Sequence, residues 1–207
     1  MTTYTKAIDP DRYDDQICRA RREIQISWNT SASKAFLEPL PHAHYFGIFS
    51  RPDEKLMGFS EWYRYSNLPE GFESSPYGKT IDLPAIGAAE EIANIRTAYL
   101  MTEYRKSFGI YVKLYVSTAL SALKRGIRFT TLSTATTALQ LQSLYLSMGG
   151  QLLGHARIRG LSVDVAVFLI NLEALVASPV AKRIIARDAE TNRPPSGGWF
   201  AFGTTNG

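Results

Sequence analysis

Two adjacent carboxylates and an arginine stand on one predicted strand of this chain. Glu90 and Glu91 begin a strand predicted over 90–101, and Arg96 interrupts its apolar pattern. Successive side chains of a strand point to opposite faces, so at most one of the two carboxylates faces a given site. We favour Glu91, which shares a face with apolar positions of the strand. A carboxylate is a candidate general base, and a guanidinium pairs with such an acid or binds a carboxylate through two parallel hydrogen bonds.

A basic, glycine-containing turn follows this strand and leads into a helix predicted over 110–125. The turn is predicted over Tyr104-Arg-Lys-Ser-Phe-Gly109. A helix N-terminus presents N–H groups without partners and the positive end of the helix dipole. The strand, the basic turn and the helix together therefore indicate a candidate site for an anion such as a phosphate.

Composition limits the classes of protein to which the chain can belong. Of its 207 residues 45% are apolar and 20% charged, as in globular proteins. We predict one domain over 1–192 with a tail over 193–207. The net charge of +4 comes as small basic clusters outside any nucleic-acid-binding motif, so no nucleic-acid partner is predicted. Without a secretory signal or an apolar run of about 18 residues, a cytoplasmic protein with no membrane span is expected.

The metal-binding side chains form no recognisable pattern. The single cysteine, Cys18, excludes an intramolecular disulfide and a zinc site built on cysteines. His42 and His44 would share a face of an extended segment, but no carboxylate follows them at ligand spacing. With His155 as the third histidine, the sequence predicts no metal site.

The elements that position these residues are predicted to alternate as β-α-β-β-β-α-β-α-β-β-α. This order is typical of an α+β fold on a mixed, mostly antiparallel sheet. The predicted strands are 4–8, 45–50, 56–65, 90–101, 127–133, 152–158 and 161–172, and the predicted helices are 9–28, 110–125, 136–148 and one that begins at Ser178-Pro179. The stretch from Asn67 to Pro84 is rich in proline and glycine, and a loop of this length predicts a lid beside a binding site.

Two sequence runs carry a resemblance to a known superfamily. Glu103-Tyr-Arg-Lys-Ser-Phe-Gly109-Ile110, between a strand and an amphipathic helix, resembles the acyl-donor motif of the GNAT N-acyltransferases. Ala138-Leu-Gln-Leu-Gln-Ser-Leu-Tyr145-Leu-Ser-Met-Gly149 resembles the next helix of that superfamily, with its Leu-Tyr-x-x-x-Gly ending. The order of elements matches over most of the chain. Within the superfamily, the chain most resembles the bacterial long-chain N-acyl amino acid synthases, which include N-acyl-tyrosine synthases.

The resemblance implies a GNAT-like fold and a reaction. A long-chain fatty acyl group would pass from an acyl-carrier-protein thioester to the α-amine of an amino acid, with tyrosine as one candidate acceptor. The donor would be an acyl-phosphopantetheine thioester, with no permanently bound cofactor, and the partners would be acyl carrier protein and the amino acid.

The resemblance also implies residue roles. Glu91, or otherwise Glu90, would accept the amine proton, Arg96 would pair with the acid or bind the acceptor carboxylate, and Tyr145 would protonate the leaving thiolate. The donor would be bound by the end of the strand and the turn that follows it: Leu100, Met101, Arg105, Lys106, Ser107, Phe108, Gly109 and Ile110.

One departure from the superfamily pattern concerns the donor. The common turn ends in a small residue, which lets the backbone approach the pyrophosphate of CoA closely, whereas Tyr111 stands there in this chain. A bulky side chain favours phosphopantetheine on a carrier protein, since that donor has one phosphate and not two bridged ones. Arg105, Lys106, Lys113 and Lys124 lie on or beside the following helix, and they would meet the acidic carrier.

Three alternatives remain open at this point. One is a GNAT acetyltransferase that uses acetyl-CoA or another short acyl-CoA on a small amine. Another is an acyl-homoserine-lactone synthase, for which the sequence offers no recognisable S-adenosylmethionine site. The third is a non-catalytic module that binds fatty acyl groups or proteins.

Overall fold

The computed structural model of the chain describes residues 2–27, 42–51, 53–67, 82–157 and 164–191. Most of the segment predicted as a lid over 67–84 lies outside these residues, as does the whole tail over 193–207. No helix in the described residues is long and apolar enough to span a membrane.

One sheet of seven strands runs through the described part of the chain. Its strands are β1 (Thr3–Ala7), β2 (His44–Ser50), β3 (Leu56–Arg64), β4 (Ile92–Leu100), β5 (Phe129–Ala135), β6 (Gly150–Arg157) and β7 (Asp164–Asn171). They lie side by side in the order β1-β2-β3-β4-β5-β7-β6. β4 and β5 are parallel, and every other adjacent pair is antiparallel. The predicted α+β class and the mixed, mostly antiparallel sheet are confirmed.

The helices cover both faces of this sheet. They are α1 (Asp14–Ser27), α2 (Leu83–Ile86), α3 (Phe108–Leu123), α4 (Leu139–Ser147), α5 (Leu172–Ala177) and α6 (Pro179–Thr191). The first helical segment opens as a 3₁₀ turn over Pro10–Tyr13, where the Asp9 carboxylate accepts a hydrogen bond from the Asp11 amide at 3.1 Å. Asp9 is therefore the N-cap that the sequence predicts.

The main core lies between the sheet and α3, with α4, α5 and α6 around it. Fully buried side chains of α3, among them Val116 and Ala119, pack with Trp62 of β3 and Phe168 of β7. Burying a side chain of Val or Phe size contributes about 1.5–3 kcal/mol. A second apolar cluster on the opposite face packs Ile17 of α1 against the sheet. α1 and α3 thus lie on opposite faces.

β4 and β5 pair at their beginnings and then part. Their pairing runs from Ile92 opposite Phe129 to Ile95 opposite Leu132, although β4 continues to Leu100. A bulge lies at this point, because Thr97 pairs with Glu61 whereas Ile95 already pairs with Trp62, which leaves Arg96 as the extra residue. A bulge bends its strand and increases the local twist. The strands therefore diverge, and we call the gap between residues 96–100 and 133–135 the splay.

Two boundaries differ from the prediction in ways that bear on the site. β4 begins at Ile92, so Glu90 and Glu91 lie in the preceding turn and not on the strand. α3 begins at Phe108, because the amides of Ile110 and Tyr111 already donate to the Ser107 carbonyl at 2.9 and 3.4 Å. Gly109 thus lies in the first turn of the helix.

Candidate active site

The turn between β4 and α3, residues 101–107, lies at the open end of the splay. The Ser107 side chain does not cap α3, and because the Ile110 amide donates to the Ser107 carbonyl, the amides left for a ligand at this helix end are those of Phe108 and Gly109. A Cβ atom added at Gly109 would meet nothing within 4 Å, so open space lies beside this helix end. Phe108 is about half exposed there. The arrangement offers amide donors and a positive dipole end to an anion.

The predicted strand residues Leu100 and Met101 have different roles in hydrogen bonding. The Met101 amide donates to the Met57 carbonyl at 2.9 Å, which commits it to β3. Since alternate N–H groups of a strand point to opposite sides, the Leu100 amide points away from β3 and towards the splay. Of the two, Leu100 is the one whose amide can polarise a carbonyl bound there.

Arg105 is held by a residue that the sequence did not single out. Its guanidinium contacts the carboxylate of Glu23 on α1 at 3.2 Å and donates to the Tyr99 hydroxyl. Tyr99 donates in turn to Glu23, and the Thr102 hydroxyl does so at 2.7 Å. The hydrogen bonds from Tyr99 and Thr102 lower the pKa of Glu23 to about 2, so the carboxylate is ionised at neutral pH. α1 thereby fixes the turn between β4 and α3, which is the predicted donor turn.

Lys106 presents its charge differently. Lys106 is exposed, and no ion pair joins it to another of the described residues. The Lys113 ammonium donates to the Thr3 carbonyl at 2.6 Å, and Lys124 caps the far end of α3. Of the predicted basic patch, only Arg105 and Lys106 lie at the turn itself.

Arg96 belongs to a buried polar cluster on the α1 face of the sheet. Its Nη1 donates to Glu61 Oε1 at 3.1 Å, while Arg21 Nη2 donates to Glu61 Oε2 at 2.7 Å. The Tyr45 hydroxyl also donates to Glu61, at 2.9 Å. The side chains of Arg21 and Glu61 are fully buried, and that of Arg96 is 12% exposed. We call Arg21, Tyr45, Glu61 and Arg96 the Glu61 cluster.

Two guanidiniums contact the one carboxylate of the Glu61 cluster. Burial opposes ionisation of Arg21, but the adjacent Glu61 carboxylate outweighs it and the pKa of Arg21 is raised. Burial, reinforced by Glu61, raises the pKa of the Tyr45 hydroxyl.

On the other face of the sheet, a tyrosine pair bridges α3 and α4. The hydroxyl oxygens of Tyr111 and Tyr145 lie 2.8 Å apart. Both rings pack in the main core with Ala98 of β4 and Leu132 of β5, the strands that diverge. Tyr145 is 4% exposed and also packs against Phe168, with ring centroids 5.5 Å apart. The predicted acid Tyr145 is thus beside the splay.

The predicted bases are not brought to the splay. Glu91 forms an ion pair with Arg128 at 3.6 Å, and its carbonyl accepts from the amides that begin β5. Glu90 is exposed, and its carbonyl accepts from Arg64 at 3.2 Å. Four residues of extended chain separate Glu91 from Ile95, about 13 Å, and the donor turn is about 30 Å away at the other end of β4. The role of Glu91 stays a prediction.

The sequence carries a signal for the Glu61 cluster. Arg21 stands in the apolar stripe of α1, three or four residues from Ile17 and Ile24. Glu61 is the one acid in the otherwise neutral core of β3, Leu-Met-Gly-Phe-Ser-Glu-Trp-Tyr. A charge at a core position of a helix and one in a buried strand suggest a pair between them. Among the described residues, no three His, Cys, Asp or Glu side chains are grouped as a metal site requires.

Comparison with solved structures places this geometry in a known fold. No protein-family model and no curated protein matches the sequence. The structure is similar to that of FeeM, an N-acyl amino acid synthase from uncultured soil microbes, with TM-score 0.67 and 16% identity over 88% of this chain and 98% of that one. It is similar to a GNAT-family acetyltransferase from Staphylococcus aureus, with TM-score 0.56 and 12% identity over 83% and 99%.

A third similar structure is that of spermidine N-acetyltransferase from Vibrio cholerae in complex with CoA and spermine. It gives TM-score 0.55 and 15% identity over 84% of this chain and 98% of that one. Identities this low carry information on the fold and not on the substrate. The seven-stranded sheet that parts between β4 and β5, with a helix beginning beside the gap, is therefore a GNAT-like α+β fold.

Proposed function

We propose that this protein is an N-acyltransferase that moves a long-chain acyl group from a phosphopantetheine thioester to the α-amine of an amino acid. The observation that carries the proposal is the splay, which lies between an open helix N-terminus on one side and the Tyr145 hydroxyl on the other. An extended pantetheine arm fits such a gap because strand backbone can bond its amides. The likeness to FeeM supports an amino acid as acceptor.

Each step of the reaction has a candidate group. The Leu100 amide polarises the thioester carbonyl, and the neutral amine attacks the carbonyl carbon. As the C–S bond breaks, Tyr145 gives its hydroxyl proton to the thiolate. An α-amine has a pKa of about 8, so a minority is already neutral at pH 7 and a base adds to the rate without being indispensable. Glu91, the base that the sequence predicts, lies away from the splay, so the proposed reaction does not depend on it.

We assign the acceptor carboxylate to Arg96. The guanidinium is the partly exposed member of the Glu61 cluster, and a guanidinium can bind a carboxylate through two parallel hydrogen bonds. Glu61 and Arg21 hold Arg96 in place from the buried side. The Glu61 carboxylate already accepts hydrogen bonds from three donors, so we give it no role as the base.

For the donor we propose acyl carrier protein in preference to acyl-CoA. Lys106 presents an exposed positive charge at the turn, and Arg105 adds to it although Glu23 partly neutralises that charge. Carrier proteins are acidic, so charge complementarity would speed their encounter with this surface. Tyr111 keeps a bulky side chain in the first turn of α3, where a pyrophosphate would need close backbone contact.

The experiment supplies the purified protein with acyl carrier protein or CoA loaded with acyl chains of several lengths, together with the twenty amino acids. Mass spectrometry of the products identifies the acyl chain and the acceptor together. We expect an N-acyl amino acid to form, and faster from the carrier protein. Tyr145→Phe is expected to lower kcat by about 10²-fold, as loss of a general acid does. Acetylation of a polyamine alone would point to the acetyltransferase alternative, and binding of thioesters without turnover would point to a binding module.

A further inference from the structure

Tyr111 contributes a second hydroxyl to the site, at a position where the superfamily pattern has a small residue. Its oxygen lies 2.8 Å from that of Tyr145, and the two rings come from different helices. Tyr111 also packs with Leu100 at the end of β4, whereas Tyr145 packs against β7. The pair thus links the end of β4 to β7 on the α3 face of the sheet.

The two residues differ in overall exposure. Tyr145 is 4% exposed, whereas Tyr111 is only partly buried and lies in the first turn of α3, beside the donor turn. A proton lost from Tyr145 therefore returns most directly through Tyr111. Burial raises the pKa of Tyr111, although the hydrogen bond with Tyr145 opposes the rise. Tyr111 is accordingly protonated at neutral pH and has a proton to give.

We propose that Tyr111 is a positioning residue that donates its hydrogen bond to Tyr145 and resupplies the proton that Tyr145 gives to the leaving thiolate. The proposal rests on the N-acyltransferase function proposed above. As the C–S bond breaks, its electron pair goes to sulfur, and the Tyr145 proton forms the S–H bond. The Tyr145 phenolate then takes the Tyr111 proton, and Tyr111 takes one from water. The amine nitrogen keeps one of its two hydrogens in the amide and gives the other as a proton to a base or to water, so both charge and atoms balance.

A neighbouring tyrosine provides a matched control. Tyr115 lies one turn after Tyr111 on α3, is buried, and packs with its ring centroid 5.8 Å from that of Tyr145. Its hydroxyl makes no hydrogen bond of ordinary geometry with any of the described residues. Tyr115→Phe therefore removes a buried hydroxyl next to the pair without removing a member of it.

The test compares Tyr111→Phe, Tyr145→Phe and Tyr115→Phe with two donors. One is the acyl carrier thioester, and the other is the matching acyl thioester of 4-nitrothiophenol, whose thiolate leaves without protonation. With the carrier donor we expect Tyr111→Phe to lower kcat about tenfold while the donor KM changes less than twofold, since a relay is worth less than the general acid itself. With the activated donor the loss should shrink to less than twofold for both Tyr111→Phe and Tyr145→Phe. Tyr115→Phe should match the wild type with both donors.

Several outcomes would overturn the relay. A Tyr111→Phe defect of equal size with both donors would show a packing role, and no defect with either donor would show no role. If Tyr111→Phe does not fold, 3,5-difluorotyrosine at position 111 keeps the hydroxyl and lowers its pKa. The alkaline limb of the kcat profile should then move to lower pH, and an unchanged profile would overturn the proposal. If the wild-type protein acylates no amine from either donor, both the proposed function and the relay are wrong. If the wild-type protein is active, the variants test the relay by itself.

Discussion

Arg21 and Glu23 lie two residues apart on α1, yet they belong to different parts of the site. Arg21 points to the interior and holds Glu61, which in turn holds Arg96. Glu23 reaches the donor turn, where it binds Arg105 and accepts from Thr102. One turn of a single helix thus supports both the proposed acceptor group and the proposed donor turn.

Replacement of Arg96 tests the acceptor site. Arg96→Gln is expected to raise the KM for the amino acid at least tenfold, because loss of a charge-assisted hydrogen bond costs about 1.5–3 kcal/mol, while the KM for the acyl donor changes less than twofold. Arg128→Gln is the control, since Arg128 is exposed and pairs with Glu91 at the other end of β4. Steady-state kinetics with each substrate varied measures both constants. An unchanged amino acid KM in Arg96→Gln would remove Arg96 from the acceptor site.

Substitution of each of the two glutamates before β4 tests whether Glu91 is the catalytic base. Because the turn that holds Glu91 lies about 13 Å along the chain from the place where β4 and β5 part, we expect Glu91→Gln to lower kcat less than threefold. Glu90→Gln, the adjacent exposed carboxylate, is the matched control. The measurement is kcat between pH 6 and 9. A loss of 100-fold or more in Glu91→Gln alone, with loss of the acidic limb of the profile, would establish Glu91 as the base.

The size of the side chain at position 111 tests the preference for the donor. Tyr111→Ala and Tyr111→Phe both lack the hydroxyl, so the difference between them reports the effect of side-chain size alone. We expect the ratio of kcat/KM for acyl-CoA to that for acyl carrier protein to be at least fivefold higher in Tyr111→Ala. Equal ratios in the two variants would show that Tyr111 does not obstruct CoA.

A reversed charge at the turn tests docking of the carrier protein. Lys106→Glu is expected to raise the KM for the carrier-bound donor several-fold and to leave the KM for the amino acid unchanged. Lys124→Glu makes the same change of charge at the far end of α3 and should have little effect. An increase of NaCl from about 50 to 300 mM should raise the wild-type KM and narrow the difference, because salt screens exposed charges. If Lys106→Glu and Lys124→Glu raise the KM for the carrier-bound donor equally, the net charge of the protein and not a docking site at the turn is responsible.

Glu23 is expected to make the free energy of unfolding depend on pH. Its folded pKa of about 2 lies below the ordinary value of 4.5, so its contribution is complete above pH 4.5 and is lost as the pH falls towards 2. Since the carboxylate is partly exposed, we expect Glu23→Gln to lower the free energy of unfolding at pH 7 by about 1 kcal/mol. Urea unfolding at pH 7, 5 and 3.5 should show the difference from wild type narrowing towards the lowest pH. A difference independent of pH would mean that the ionised form of Glu23 contributes nothing.

The elements were predictable because their signals are local. Hydrophobic periodicity, the Asp9 cap and the turn residues around the hairpin of β2 and β3 each act over a few positions. The donor turn was predictable for the same reason, since its strand, basic residues and helix are contiguous. Tyr145 was also identified from a contiguous run.

The contacts between distant segments were not predictable. Arg21, Glu61 and Arg96 come from α1, β3 and β4, and only the packing of α1 on the sheet brings them together. The contact between Tyr111 and Tyr145 likewise depends on how α3 and α4 cross. Glu91 was chosen by strand alternation, which no longer applies once the strand begins at Ile92. Local patterns therefore predict the turn between β4 and α3 and the helix that carries Tyr145, but not the polar contacts between distant segments.

The parting of β4 from β5 has a consequence for the exchange of backbone hydrogens with solvent. Only four residue pairs join the two halves of the sheet there, from Ile92–Phe129 to Ile95–Leu132. After Ile95, every second amide of β4 points towards β5 but has no paired residue of β5 to accept its hydrogen bond. We expect the Leu100 amide, which faces the gap, to exchange its hydrogen far faster than the Met101 amide, which is bonded to Met57. A bound acyl donor would supply the missing acceptor, so slowed exchange at Leu100 alone would report occupancy in the absence of turnover.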